Sequence, residues 1–181
     1  MKKTIAILLV LVIGMVGVFA ADATLSLTTT VAALNEFKIT TAAIGANDTH
    51  DYSKYAALTT QTTTAVTRDG GISSASYLTV LNNSTTAYNI GVKASRLAAT
   101  DITTTIGFTV SCGSASNVPA LEPADATSSN TYTQALGVTG TVTDGLVIAS
   151  APISIIVNAN DFNSAAAGSY TGYIYFNVTA V

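Results

Sequence analysis

The sequence predicts an all-β protein: an Ig-like or Greek-key β-sandwich of about eight or nine strands behind a cleaved signal peptide. Three observations support this fold class. Apolar and polar residues alternate with a period of two along many short segments, which is typical of half-buried strands. Thr is abundant at the polar positions, and its β-branched side chain suits a pleated surface. After the first 20 residues, no window of 11 residues shows a convincing helical period of 3.6.

The alternating segments occur along the whole chain and are separated by turn-forming residues. They cover residues 23–31, 58–66, 77–81, 88–94, 106–112, 153–157 and 174–178. Many short strands at this spacing favour a sandwich, with an up-and-down barrel as the alternative. Segment 113–134 contains Pro119, Pro123 and a Ser/Asn cluster, so we expect a long surface connection there.

Segments 77–81 and 88–94 give the strongest hairpin signal in the sequence. In the second of them, Tyr88, Ile90, Val92 and Ala94 point to one side. Residues 82–86 (Asn, Asn, Ser, Thr, Thr) between the two segments tolerate a tight backbone. We therefore expect these two strands to pair with each other.

The first 20 residues have the organisation of a secretory signal peptide. Lys2 and Lys3 precede an apolar run over residues 5–19, and small residues follow. Cleavage is predicted after Ala20, with Ala23 as a second site, which leaves residues 21–181 as one domain. The alternative is a retained membrane anchor, but the run of about 15 residues is shorter than the roughly 20 that a spanning helix needs.

Composition excludes several classes of function. Seven basic and ten acidic residues give a formal charge of −3, so there is no basic surface for nucleic acid. One Cys and one His leave little material for metal or acid–base chemistry. We expect no cofactor, no metal and no enzymatic activity, and we expect Cys112 to be a buried thiol that acts as a small hydrophobe.

Three polar segments are candidates for chemical sites. Residues 47–51 place two carboxylates beside His50, which suits a metal ion, but the same residue types form ordinary turns. Residues 158–163 lack the Gly and terminal Glu of a helix-loop-helix calcium site, so a loop after a strand is expected. Residues 69–71 lack the Lys of a phosphate-binding loop, and a turn is expected there too.

The last fourteen residues begin with a glycine and contain an alternating apolar segment. Gly168 is fourteenth from the end, and the apolar residues Ile174, Phe176 and Val178 alternate after it. This tail resembles that of bacterial fimbrial subunits assembled by the chaperone–usher route, and of related spore-coat-U-like secreted β-sandwiches. The family usually has Tyr as the penultimate residue, where this chain has Ala180, and commonly a disulfide, which one Cys cannot form.

The resemblance implies a role for the other end of the chain. In that family, an N-terminal extension with alternating apolar residues inserts into the incomplete sheet of the next subunit, which is a form of β-strand addition. Residues 21–33, with Leu25, Leu27 and Val31 on one face, match this extension. The expected partners are other copies of the chain or a periplasmic chaperone, and the expected location is the periplasm in transit and then the cell surface, in a fimbrium or pilus with a role in adhesion.

Two other functions stay open at this point. One is a soluble secreted module that binds carbohydrate or protein, because Tyr173 and Tyr175 lie on the face opposite Ile174, Phe176 and Val178. The other is a small outer-membrane β-barrel, whose strands also alternate.

Overall fold

The structure, a computed structural model, describes residues 31–62, 64–66, 72–138 and 145–180. These residues form mostly strands. The strands are β1 (Asn35–Thr40), β2 (Ile72–Asn82), β3 (Tyr88–Ala94), β4 (Leu97–Ala99), β5 (Ile102–Ile106), β6 (Phe108–Cys112), β7 (Ala115–Pro119), β8 (Thr133–Val138), β9 (Val147–Val157) and β10 (Ile174–Ala180). Three helices of six residues each are α1 (Tyr52–Ala57), α2 (Pro123–Ser128) and α3 (Ala159–Ser164).

The strands form two sheets and a small hairpin, and all of the strand pairs are antiparallel. The large sheet has the order β1-β2-β9-β6-β7, and the small sheet has the order β10-β3-β8. Strands β4 and β5 pair separately. The all-β, sandwich-like fold class predicted from the sequence is confirmed.

The main core lies between the large and the small sheet, because each supplies one apolar face. From the large sheet, Phe108, Val110 and Cys112 of β6 are buried, and Ile90 and Val92 of β3 come from the small sheet. Their neighbours Thr109 and Ser111 are only half-buried, as a period of two requires. Each large side chain fully buried in this way stabilises the fold by about 1.5–3 kcal/mol.

A second, smaller core covers the other face of the large sheet. It is formed by Tyr55 of α1, Leu81 of β2 and Ile148 of β9. Strand β2 is therefore buried on both faces: Leu78 and Val80 contribute to the main core, whereas Thr79 and Leu81 point the other way.

Buried hydroxyl groups join the strands beneath this second core. The hydroxyls of Thr40 and Thr79 lie 2.9 Å apart, and that of Thr79 lies 2.8 Å from the hydroxyl of Ser150. Ser150 also accepts a hydrogen bond from the backbone N–H of Ile44 at 3.0 Å. These hydrogen bonds satisfy polar groups that would otherwise be costly to bury.

The predicted hairpin between 77–81 and 88–94 is wrong, although both strands exist. Strand β2 belongs to the large sheet and β3 to the small sheet, so residues 83–87 cross from one sheet to the other. The side chain of Asn82, which is 1% exposed, holds this crossing. Its amide donates to the carbonyls of Thr86 and Val138 at 3.0 and 3.1 Å, while its oxygen accepts from the N–H of Ser84 at 2.7 Å.

Four other local predictions need correction. Segment 113–134 is not one long connection, because it contains β7, α2 and the start of β8. In segment 58–66, the residues that the structure describes form no ladder, and Thr60 makes an isolated bridge with Thr40. The described residues contain ten strands, and five of them lie outside the alternating segments or share one end residue with them: β1, β4, β5, β7 and β8. Residues 159–164 form the helix α3 instead of a loop, because Asn158 caps it by accepting from the N–H groups of Asn160 and Asp161.

Several predictions fall on residues outside the described ranges. They are the signal peptide with its cleavage after Ala20 or Ala23, the alternating segment 23–30, and the turn at 69–71. Within the part of the chain that the structure describes, no helix combines the length and the apolar character needed to cross a membrane.

One long side of the sandwich is closed by the turn between β6 and β7. The N–H of Ser114 donates to the carbonyl of Ala135 in β8 at 2.8 Å, which joins the two sheets, and the Ser114 hydroxyl donates to the same carbonyl at 3.0 Å. Gly113 permits this contact. It has φ +57°, and a Cβ atom there would lie 2.1 Å from the Ala135 oxygen.

This geometry predicts a different cost for two glycine substitutions. In Gly113→Ala, left-handed strain of about 1–2 kcal/mol adds to an overpacking cost of about 1–3 kcal/mol, because the Ala135 carbonyl must move. Gly145→Ala is the matched control: Gly145 has φ +62°, but a Cβ atom there meets nothing within 4 Å. Chemical denaturation should show a clearly larger decrease in the free energy of unfolding for Gly113→Ala than for Gly145→Ala. Equal decreases would contradict the close contact between Gly113 and the Ala135 carbonyl.

Candidate functional site

The candidate site is the long side of the sandwich opposite Gly113, between the edge strands β1 and β10. Among the described strands, the only ladder partner of β1 is β2 and that of β10 is β3. Among the described residues there is no ladder between β1 and β10. We call this gap the open seam.

The two edges of the seam differ in how much of their backbone is paired. At one end of β1, the N–H of Thr41 donates to the carbonyl of Thr59 at 3.1 Å, and the N–H of Gln61 donates to that of Ile39 at 2.8 Å. Strand β10 has no second ladder partner among the described residues over its seven residues. Within the described ranges, the outer edge of β10 has no ladder partner, so a strand added there would pair with its N–H and C=O groups.

An apolar groove lies in the open seam, at the end where β1 begins and β10 ends. Its lining comes from both sheets: Asn35, Glu36, Phe37, Val80, Leu81, Asn82, Tyr88, Ile90 and Val178. Phe37 and Val178 are 38% and 37% exposed, although Val80 and Ile90 beside them are buried. The groove is small, about 10 Å³, and lies at the edge of the main core.

Leu34, just before β1, is held by a reciprocal pair of hydrogen bonds. The N–H of Leu34 donates to the Asn83 side-chain oxygen at 2.6 Å, and the N–H of Asn83 donates to the carbonyl of Leu34 at 3.2 Å. Because β10 ends opposite Tyr88, Leu34 and the last residues of β10 lie at the same end of the sandwich.

The C-terminal residues selected from the sequence lie on one strand, whereas their glycine does not. Ile174, Phe176 and Val178 share a face of β10, opposite Ala94, Val92 and Ile90 of β3. Ile174 and Phe176 pack against the main core, and Val178 reaches the groove. Gly168 lies in the connection before β10, where a Cβ atom would lie 2.7 Å from Cδ1 of Ile102. It is a packing position next to β5 and not part of the open seam.

The N-terminal residues selected from the sequence are mostly outside the described ranges. Leu25 and Leu27 are among the residues that the structure leaves out. Val31 is described and is 79% exposed. The assignment of 21–33 as an inserting strand therefore stays a prediction.

The polar segment around His50 has a structural role in this molecule. Residues 47–50 form turns, as predicted; His50 Nδ1 lies 2.6 Å from the Leu146 carbonyl, and Asp51 caps α1. The N–H and hydroxyl of Ser53 both donate to this carboxylate, which lowers the pKa of Asp51. No group of three or more His, Cys, Asp or Glu suited to a metal ion occurs within the described ranges.

The ion pairs centre on Arg96, which the sequence did not single out. Its guanidinium lies 2.5 Å from Glu122 beside α2 and 2.9 Å from Asp161 in α3. Asp161 also accepts from the N–H of Gly107, at the break between β5 and β6. All three side chains are partly exposed, so each pair contributes about 1 kcal/mol or less. This cluster holds the two short helices in place.

Comparisons with protein-family models, with curated proteins and with solved structures find nothing that matches this chain. The geometry of the molecule is therefore what supports the proposals below.

Cys112 is buried in the main core at 1% exposure, as expected for a small hydrophobe. Burial raises the pKa of its thiol to about 11, from an ordinary value of 9.0. A nucleophile needs the opposite shift, because the thiolate is the reactive form.

The raised pKa of Cys112 predicts a loss of stability in alkaline solution. An unfolded thiol releases its proton near pH 9, whereas the folded one holds it to about pH 11. In this window the folded state binds more protons, so the free energy of unfolding falls as the pH rises, and the contribution is intact below pH 9. Chemical denaturation at pH 8 and at pH 10.5 measures this effect. The free energy of unfolding should fall less between the two pH values in Cys112→Val than in the wild-type chain. Rapid alkylation of the native protein at pH 8 would contradict the burial of the thiol.

Proposed function

We propose that this chain is a non-catalytic, exported structural subunit of the cell surface that assembles by β-strand addition at the open seam. The inserted strand is residues 21–33 of a second copy, with Leu25, Leu27 and Val31 on the face that enters the groove. The outer edge of β10, which has no ladder partner among the described residues and lies beside an apolar groove, is the observation that carries this proposal.

The physical argument starts from the two sides of the sandwich. A contact between Ser114 and Ala135 joins the sheets on one side, whereas on the other side Phe37 and Val178 stay more than a third exposed. An exposed apolar edge is an aggregation hazard unless something covers it. A strand in the seam supplies backbone hydrogen bonds to β10, and its alternate side chains remove the groove from water.

The sequence of the tail suits this role. Residues 23–31 alternate between apolar and Thr/Ser positions, so one face is apolar and the other is polar. The resemblance of both ends of the chain to fimbrial subunits supports the same arrangement. A periplasmic chaperone that adds a strand to β10 would cover its edge before assembly. The predicted signal peptide accounts for export to the cell surface.

The position of Leu34 favours insertion into a second copy over insertion into the chain's own seam. Leu34 is held at the end of the sandwich where the groove opens, and it is the one residue between β1 and the segment 21–33 that would insert. To enter its own seam, the tail must reverse direction close to Leu34. A tail that continues away from the domain reaches a second copy without a turn.

Paired substitutions on the two faces of the tail test this proposal. In the mature chain, Leu25→Asp with Leu27→Asp puts carboxylates into the apolar groove, so we expect only monomers. The matched control, Ser26→Asp with Thr28→Asp, adds the same charge to the polar face and should still assemble. Light scattering and electrophoresis of unheated samples in SDS give the readout, with ladders expected for the wild-type chain and the control.

The same test can be made on the groove side. Val178→Lys places a charge where the inserted strand would pack, and Thr179→Lys, on the opposite face of β10, is its control. Assembly should fail only in Val178→Lys. A mature wild-type chain that stays strictly monomeric over the accessible concentration range would rule the proposal out.

A further inference from the structure

The outer face of the small sheet carries three tyrosines around one lysine. Ile174 and Phe176 pack against the main core, so Tyr175 between them points outward. Tyr173 is 59% exposed, and Tyr175 and Tyr132 are half-buried. We call Tyr132, Tyr173, Tyr175 and Lys93 the tyrosine face. It lies on a different surface from the open seam groove.

Direct contacts hold this set in a fixed arrangement. The rings of Tyr173 and Tyr175 have centroids 6.1 Å apart with an interplanar angle of 39°. Lys93 is paired with Tyr175 in the sheet, and its Nζ lies 5.3 Å from the Tyr175 centroid and 4.7 Å from that of Tyr132. Each ring that contacts a cation in this way is oriented by it.

Lys93 is almost entirely removed from solvent. It is 6% exposed, and its Nζ donates to the carbonyl of Ser129 at 2.5 Å. This contact ties the connection between α2 and β8, which includes Tyr132, to the sheet. The charge of Lys93 therefore serves to position rings and is not displayed on the surface.

A glycine makes room for the third tyrosine. Gly91 lies two residues before Lys93 on β3, and a Cβ atom there would lie 2.6 Å from Cβ of Tyr132. Any other residue at this position would displace Tyr132 from the sheet. The register also shifts between Ile90 and Gly91, where β3 pairs with β8.

Neutral polar side chains extend the face beyond the rings. Gln134 donates from Nε2 to the Asn89 side-chain oxygen at 3.1 Å, and the exposed Asn177 and Thr179 lie opposite Gly91 and Asn89. No other charged residue occupies an outward position of β3, β8 or β10 within the described residues. The face thus combines aromatic rings, amides and hydroxyls without an exposed charge.

This chemistry selects one class of ligand. The C–H faces of a pyranose ring carry a partial positive charge and stack on the negative face of an aromatic ring, while the sugar hydroxyls pair with amide groups. The rings of Tyr173 and Tyr175, 6.1 Å apart, give two adjacent aromatic surfaces for such stacking. A nucleic acid or an acidic glycan would need an exposed cation, which this face lacks.

We infer that the tyrosine face is a binding surface for an uncharged polysaccharide built of hexopyranose units. Tyr173 and Tyr175 form the stacking platform, Tyr132 borders it, and Lys93 is a positioning residue beneath it. The inference does not depend on strand addition. If the subunits do assemble, each added copy repeats the face along the assembly and raises the avidity for a polymer.

A second tyrosine pair in the same molecule provides an internal control. Tyr52 and Tyr55 have centroids 6.3 Å apart at 38°, and Lys38 Nζ lies 4.3 Å from the Tyr55 centroid. Tyr55, however, is 4% exposed and belongs to the second core, so only Tyr52 faces solvent at 49%. The ring geometry is nearly equal, but only one ring is available to a ligand.

The experiment uses the mature chain in native gels that contain dextran, laminarin or galactomannan, with polygalacturonate as the acidic polymer. We expect at least one neutral polymer to retard the protein and polygalacturonate to leave it unaffected. Tyr173→Ala should weaken binding about tenfold, from the loss of one stacked ring, whereas Tyr173→Phe should retain it. Tyr52→Ala should bind as the wild type does.

Three results would overturn the inference: no retardation by any neutral polymer, retardation by polygalacturonate alone, or an equal loss in Tyr52→Ala and Tyr173→Ala. Because the chain has no Trp, its fluorescence comes from its eight tyrosines, and it serves to check that each variant is folded. The chain with Leu25→Asp and Leu27→Asp should still bind the polymer, which separates failure of this inference from failure of assembly.

Discussion

The crossing of the chain from β2 to β3 is the constraint on which the rest of the structure depends. Residues 83–87 join one sheet to the other, so the apolar faces of β2 and β3 meet across the main core instead of lying side by side. The buried amide of Asn82 fixes this crossing through Thr86, Ser84 and Val138. Asn83 then holds Leu34, which places the start of β1 at one margin of the large sheet. The open seam exists because β1 and β10 end up at the same side of two different sheets.

The two long sides of the sandwich show how local chemistry decides whether an edge is closed. At Gly113, the missing Cβ lets the turn approach the Ala135 carbonyl, and one backbone hydrogen bond joins the sheets. No equivalent contact joins β1 and β10 among the described residues, where Phe37 and Val178 border a groove. Within the described part of the chain, a glycine turn joins the sheets on the closed side, whereas on the open side the outer edge of β10 has no ladder partner.

The sequence predicted the strands better than their partners. Alternation identified β3, β6 and β10 and the apolar face of each, because burial on one face of a strand imposes a period of two. The polar turn at 82–86 favoured a hairpin, because a turn that reverses direction within a sheet and a connection between sheets use the same residue types. The groove joins residues that are distant in sequence, such as Phe37 and Val178, and no local pattern reports such a meeting. Lys93 gave no signal either, since one Lys among polar positions of a strand resembles an ordinary surface residue.

The place of Cys112 has a consequence for the conditions under which this chain folds. Its thiol is the only sulfur in the chain that could form a covalent cross-link, and it is enclosed in the main core between the sheets. With one Cys, the chain cannot form an internal disulfide, so the sandwich is stabilised by non-covalent interactions, chiefly apolar burial and hydrogen bonds. The stability of the folded molecule therefore does not depend on the redox potential through an internal disulfide. Folding needs neither an oxidant nor a disulfide isomerase.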